Sequence, residues 1–184
     1  MAKIGLSNFR YAKLTESEDG TASYDGAKTP AKAISCKVDI SSNEASLYAD
    51  DALAESDTSF NNGTVSLGID EDDDKMMADL LGHTISEEGE MVRNAEDTPP
   101  YVGFGRILTK MVNGVRKYKV EFLCKVKFKE PSQEDDTKGE KLEFKTPTLE
   151  GVISTLANGE WSKTQTFATK AEAVTYLEGL MAKA

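Results

Sequence analysis

Apolar and polar residues alternate along much of this chain. Ile34, Cys36, Val38 and Ile40 are apolar, with Lys37 and Asp39 between them. That is the period of a strand with one buried face. Tyr118, Val120, Phe122, Cys124, Val126 and Phe128 repeat the period over a longer run, and Lys117, Lys119, Glu121, Leu123, Lys125, Lys127 and Lys129 take the other positions. The pattern predicts both cysteines on inward faces, where free thiols behave as small hydrophobes without a redox role.

Three Asn-Gly pairs punctuate the strand-like text: Asn62-Gly63, Asn113-Gly114 and Asn158-Gly159. Asn-Gly supplies the positive φ angles of a tight hairpin, so each pair predicts a turn between strands. The predicted strands are Phe9 to Leu14, Val65 to Ile69, Phe104 to Met111, Thr148 to Leu156 and Trp161 to Phe167, with a shorter one at Leu142 and Phe144. Two segments break the β pattern. Asp70 to Asp74 precede Met76, Met77, Leu80 and Leu81, and Gly82 follows, which predicts a short helix with acids at its positive end. Thr169 and Glu172 have capping-box spacing ahead of Val174, Leu177, Leu180 and Met181. Residues 41–62 and 130–141 are polar and are expected to be loops, the first unusually long.

The expectation is therefore one mainly β domain over residues 1–184, a β-sandwich or partial barrel with a short flanking helix and a C-terminal helix. A chain of 184 residues, 39 % of them hydrophobic, can bury a core without a disulfide framework or a structural metal. Two cysteines in such a length suit a reducing cytoplasm. Residues 1–8 hold one charge but no apolar stretch behind it, so no secretory signal is expected. No run approaches the ~20 apolar residues of a membrane-spanning helix.

Charge changes the picture. The formal net charge is −10, which argues against a general nucleic-acid binder. Between Val38 and Asp74 the chain has no Lys or Arg, and its eleven acids carry more negative charge than the whole molecule shows. From Arg106 to Lys129 the balance reverses, with Glu121 the single acid among eight bases. Such runs can be two solvated faces. They can equally be self-complementary, the acidic segment of one copy meeting the basic strand of another, an arrangement that fixes orientation and register.

Catalytic chemistry finds little support. Asp70, Asp72 and Asp74 match the first ligand positions of a calcium-binding EF-hand loop, but Lys75 stands where glycine is needed and Leu81 where the bidentate Glu is needed. Helix capping explains the same acids. His83 is the only histidine. No nucleophile motif accompanies it, and two separated cysteines cannot complete a zinc set. Gly103 and Gly105 lack the following helix and third glycine of a dinucleotide loop, and are expected to mark a bend or a close backbone approach within a strand. No cofactor, no metal and no catalytic residue is expected.

Several pieces of the chain, taken in order, carry a resemblance. They are Ala33-Ile34-Ser35-Cys36-Lys37-Val38-Asp39-Ile40, Leu47-Tyr48-Ala49-Asp50-Asp51, Asn62 to Asp70, Leu80-Leu81-Gly82, Pro99 to Gly105, Asn113-Gly114, Thr137 to Glu140 and Phe144 to Gly151. In this order and spacing the chain resembles the major tail proteins of long-tailed, non-contractile phages, the phi-13-like group. The resemblance implies a β-sandwich whose strands join those of neighbours to line a ring. It implies hexameric rings of the chain itself, stacked into a hollow tail tube around a tape-measure protein. Tail terminator and distal tail proteins would be further partners, genome DNA would pass through the lumen without specific binding, and no membrane is involved. The place would be the virion, after synthesis in the host cytoplasm.

On that basis residues 41–62 are expected to form an arm between rings, with Leu47, Tyr48, Leu53 and Phe60 as apolar anchors and Asp50, Asp51, Glu55 and Asp57 as charged contacts. Lys117, Lys119, Lys125 and Lys127 are the expected recipients. The alternative is a monomeric β-sandwich binding module for virion decoration or carbohydrate, a reading that expects exposed aromatic platforms although Trp161 is the only Trp.

Overall fold

The computed structural model describes residues 2–30, 32–49, 52–71, 73–132 and 146–182. Its framework is one large antiparallel sheet. In spatial order the strands are β2 (Ala22–Tyr24), β1 (Ala2–Glu16), β7 (Val102–Val112), β8 (Val115–Phe128), β9 (Thr148–Ser154), β4 (Ala52–Ile69) and β3 (Ala33–Ala49). A further strand, β10 (Ser162–Phe167), also pairs with β8. A small hairpin of β5 (Thr84–Ile85) and β6 (Met91–Val92) stands apart. The helices are α1 (Asp74–Leu81) and α2 (Lys170–Leu180). The mainly β, sandwich-like architecture with two helices agrees with the alternation in the sequence.

The two faces of the sheet bury separate cores. On one, Phe9, Tyr11, Val65, Leu67, Ile69, Phe104 and Phe128 close around Met76, Met77, Leu80 and Leu81 of α1. On the other, Ile107, Val120, Phe122 and Cys124 receive Ala173, Leu177 and Met181 at α2, all three fully buried. Each fully buried Leu or Met contributes about 1.5–3 kcal/mol. Both helices begin as expected. Asp73 caps α1 by accepting from the Lys75 amide, Gly82 ends it at φ 81°, and Thr169 and Glu172 complete the capping box of α2.

Gly103 and Gly105 mark close approaches in β7. A Cβ at 103 would lie 2.5 Å from Tyr24 Cε1 and 2.7 Å from Phe122 Cζ, and one at 105 would fall on Leu177 Cδ1.

A bulge in β8 corrects the longest alternation. Val102 faces Val126 and Phe104 faces Leu123, so Cys124 and Lys125 together oppose Gly103. The extra residue turns the strand over. Val120, Phe122 and Cys124 enter the α2 core, whereas Leu123, Val126 and Phe128 enter the α1 core. The six alternating apolar residues therefore do not share one face. The same point hands β8 from one neighbour to another: β10 pairs with residues up to Leu123, and β9 takes over from Lys125.

In place of the loop expected over residues 41–62, residues 41–49 and 52–62 form an antiparallel ladder. β3 and β4 stay paired from Ala33↔Ile69 to Ala49↔Ala52. Asn62-Gly63 accordingly lies inside β4 and makes no turn. Ile40 Cδ1, the Asp39 carbonyl and Ile153 Cδ1 crowd the α-carbon of Gly63, so the glycine serves close packing. Asn113-Gly114 does form the expected hairpin turn, with φ 49° and 78°. At Asn158-Gly159 only the glycine is left-handed, at φ 84°, in a turn closed by the Leu156 amide bonding the Glu160 carbonyl. Of the polar stretch 130–141, residues 133–141 lie outside the described residues, as do Leu142 and Phe144.

Candidate assembly interface

The edge built by β3 and β4 is where the chain's local rules and its tertiary structure diverge. β9 pairs with β4 only from Gly63 to Gly68. Beyond that point, among the described residues, the ladder of β3 and β4 has no third strand beside it. Residues 41–49 and 52–62 thus form a two-stranded ribbon, roughly 30 Å long at ~3.3 Å per residue. Its register slips at its foot, where Ser41 faces Asn62 but Ser42 faces Phe60, leaving Asn61 as an extra residue. A bulge there bends and twists the ribbon as it leaves the sheet.

The bulge also turns Phe60 to the inner face. Its ring stacks on Trp161 at 4.8 Å with the planes 10° apart. Phe60 is therefore engaged by its own chain and is not a free anchor. Leu47, Tyr48, Leu53, Glu55 and Asp57 lie on the ribbon strands, with their side chains outside the description. Asp50 and Asp51 lie outside the described residues. The ribbon keeps the composition of its sequence, with acids and no Lys or Arg.

The expected recipients do not form one comb. Lys117 and Lys119 share the β8 face of Leu123, and the bulge places Lys125 and Lys127 on the opposite face. Lys117 is exposed at the turn end of the strand. Lys119 donates to Glu121 Oε1 at 2.6 Å. Lys125 pairs with Glu16 and lies 4.6 Å from the centre of the Tyr101 ring, with Lys127 at 5.2 Å. Two of the four lysines are thus spent on carboxylates of the same chain.

Between β3 and β8/β10 lies an open groove of about 270 Å³, with Val38, Ile40, Leu123 and Trp161 as apolar walls. Its floor is charged. Arg106 is 8 % exposed and donates to Glu121 Oε2 through Nε at 3.1 Å and Nη2 at 2.8 Å. Nη1 reaches the Cys36 carbonyl at 3.2 Å and Cys36 Sγ at 2.8 Å. Burial pushes the Glu121 carboxyl up, but hydrogen bonds from Lys119 and Arg106 outweigh it and hold the group below its ordinary value. Burial raises the Cys36 thiol against the pull of Arg106, and pushes Cys124 up to about 11. Neither thiol is tuned as a nucleophile. The groove's charges face one another, so its floor is a structural ion cluster.

The sequence carries a signal for this cluster in the Asn113-Gly114 pair. With Asn113-Gly114 as a two-residue turn, counting outward pairs Val112 with Val115 and sets Arg106 opposite Glu121, as observed. The surroundings of His83 had no such signal. The acids that meet it are Asp97 and Glu130, neither of them in the 70–74 run. Both ring nitrogens are taken, which leaves no free lone pair for a general base.

No family model matches the chain, and no curated protein matches it in sequence. Among the described residues, no helix is long and apolar enough to cross a membrane.

Proposed function

We propose that this chain is a structural protein that assembles with copies of itself. More particularly, we propose that it is the major subunit of a phage tail tube, forming stacked hexameric rings in the virion around a tape-measure protein. Tail terminator and distal tail proteins would cap the assembly, and genome DNA would pass through without specific binding. One observation carries this reading: the acidic ribbon of β3 and β4, paired to Ala49↔Ala52 with, among the described residues, no third strand beside its distal part. An isolated two-stranded ribbon is marginal in water. A long one of a single charge sign gains most from a partner surface of the opposite sign. A tube subunit has such a partner in the next copy, and its joints are heterologous contacts that close laterally and stack openly along the axis.

The test is assembly itself. Concentrated wild-type protein, followed by light scattering and negative-stain microscopy, is expected to form rings or tubes. The Asp50→Lys, Asp51→Lys double variant is expected to assemble poorly while its monomer unfolds at nearly the wild-type temperature. A wild-type protein that stays monomeric at high concentration and binds glycans would replace this reading with that of a monomeric binding module.

A further inference from the structure

His83 follows Gly82, whose α-carbon sits so close to the Thr98 carbonyl that a Cβ there would be 2.5 Å from it. This approach holds the end of α1 against the segment ahead of β7 and aims the imidazole between two carboxylates. The side chain is 8 % exposed. Nδ1 lies 2.7 Å from Asp97 Oδ2, and Nε2 lies 3.1 Å from Glu130 Oε2. Asp97 is fixed in turn by the Asn94 amide at 2.9 Å, and Glu130 by Arg93 Nε at 3.2 Å. A neutral imidazole has one N–H and one lone pair, and a lone pair aimed at a carboxylate is repelled. Only the imidazolium, donating from both nitrogens, satisfies this arrangement.

We propose that His83 is a proton-operated latch: as the imidazolium it ties Asp97 and Glu130 together and holds the excursion that carries β5 and β6 against the end of β8. Losing the proton frees one of the two carboxylates and loosens that excursion. The charged groups that meet the ring, among the described residues, are Asp97 from the turn ahead of β7, Glu130 from the end of β8, and Arg93 behind Glu130. From α1, Asp79 is engaged elsewhere, by Lys13 and Lys28.

The hydrogen bond to Asp97 raises the His83 pKa above its ordinary value of 6.5; burial opposes this, and the Glu130 bond and both carboxylate charges add to it. A raised folded-state pKa means the latch is complete below about pH 6.5 and is lost as the pH climbs through the folded value. The latch does not depend on the assembly reading.

Because His83 is the sole histidine, its ring signals in an NMR titration of the full chain are unambiguous. The titration midpoint is expected above 6.5. Amide protection factors for residues 84–96 are expected to fall several-fold across that midpoint, while those in α2 stay constant. In His83→Gln the same amides should be equally loose at low and high pH. Glu130→Gln should lower the midpoint and shrink the change, and it keeps the test decisive if the first variant folds poorly. A wild-type midpoint at or below 6.5, or protection that does not follow it, would overturn the proposal. So would a folded His83→Gln protein that keeps the pH dependence.

Discussion

Phe60 and Trp161 stack nearly parallel, 4.8 Å between ring centres, at the place where β4 leaves β9 and continues as a ribbon with β3. The contact joins the foot of the ribbon to the start of β10, so the direction in which the ribbon departs is set by the body of the molecule. Phe60→Ala removes the stack and part of the apolar wall around it. A loss of about 1–3 kcal/mol is expected. It should be read as a lower urea midpoint at unchanged slope, with faster amide exchange in residues 41–49 and 52–60. Unchanged exchange there would show that the ribbon is anchored elsewhere.

Arg106 depends on Glu121 for its only carboxylate partner among the described contacts. Glu121→Leu leaves a buried guanidinium without a counter-charge, and a loss of about 3–5 kcal/mol is expected. The double variant Arg106→Met, Glu121→Leu should recover most of it, because an apolar pair of similar volume removes the stranded charge along with its partner. A double variant as unstable as the single one would mean that lost packing, not charge, is responsible. The pH dependence has a definite sign. A carboxyl held below its ordinary 4.5 stabilises the folded state above that value, and the contribution is lost as the pH falls through the folded-state pKa. Acid titration of stability should therefore be shallower in the double variant.

Gly105 lets α2 sit on β7. The Cβ of Gly105→Ala would fall on Leu177 Cδ1 and come within 3.3 Å of Met181 Cε. Leu177 is fully buried, so its side chain can yield only by disturbing its neighbours. The expected cost is about 1–3 kcal/mol. Thermal unfolding should show it, and Leu177→Ala in the same background should relieve part of the clash. Wild-type stability in Gly105→Ala would mean that α2 can shift freely on the sheet.

Local patterns foretold local features. The acids ahead of Met76, the Gly82 stop and the Thr169 capping box each place a helix end, because caps are satisfied within a few residues of chain. Asn113-Gly114 foretold a turn and, with it, the register of a whole hairpin. The identical dipeptide at Asn62-Gly63 misled, because β4 passes straight through it. Asn-Gly permits a tight turn, but β3 and β9 flank Gly63 on either side, and that pairing outweighs the local preference.

The polar text of residues 41–62 resembles a loop for a related reason. Residues 41–44, 58 and 59 are exposed, and strands built from such polar residues carry little apolar alternation, so their pairing lies in backbone hydrogen bonds that a residue pattern does not record.

The residue pattern alone sufficed for the β-rich class, the two helices with their caps, one hairpin register and the division of charge between an acidic and a basic region. Each of these depends on residues close in sequence or on a simple period. Long-range packing alone settles that β8 turns over at Cys124 and Lys125, that Phe60 is held by Trp161, and that the lysines of β8 divide between two faces. It alone brought His83 to Asp97 and Glu130. One inserted residue in a strand reverses every side chain beyond it, and a carboxylate from a distant segment finds its partner only once the chain has folded.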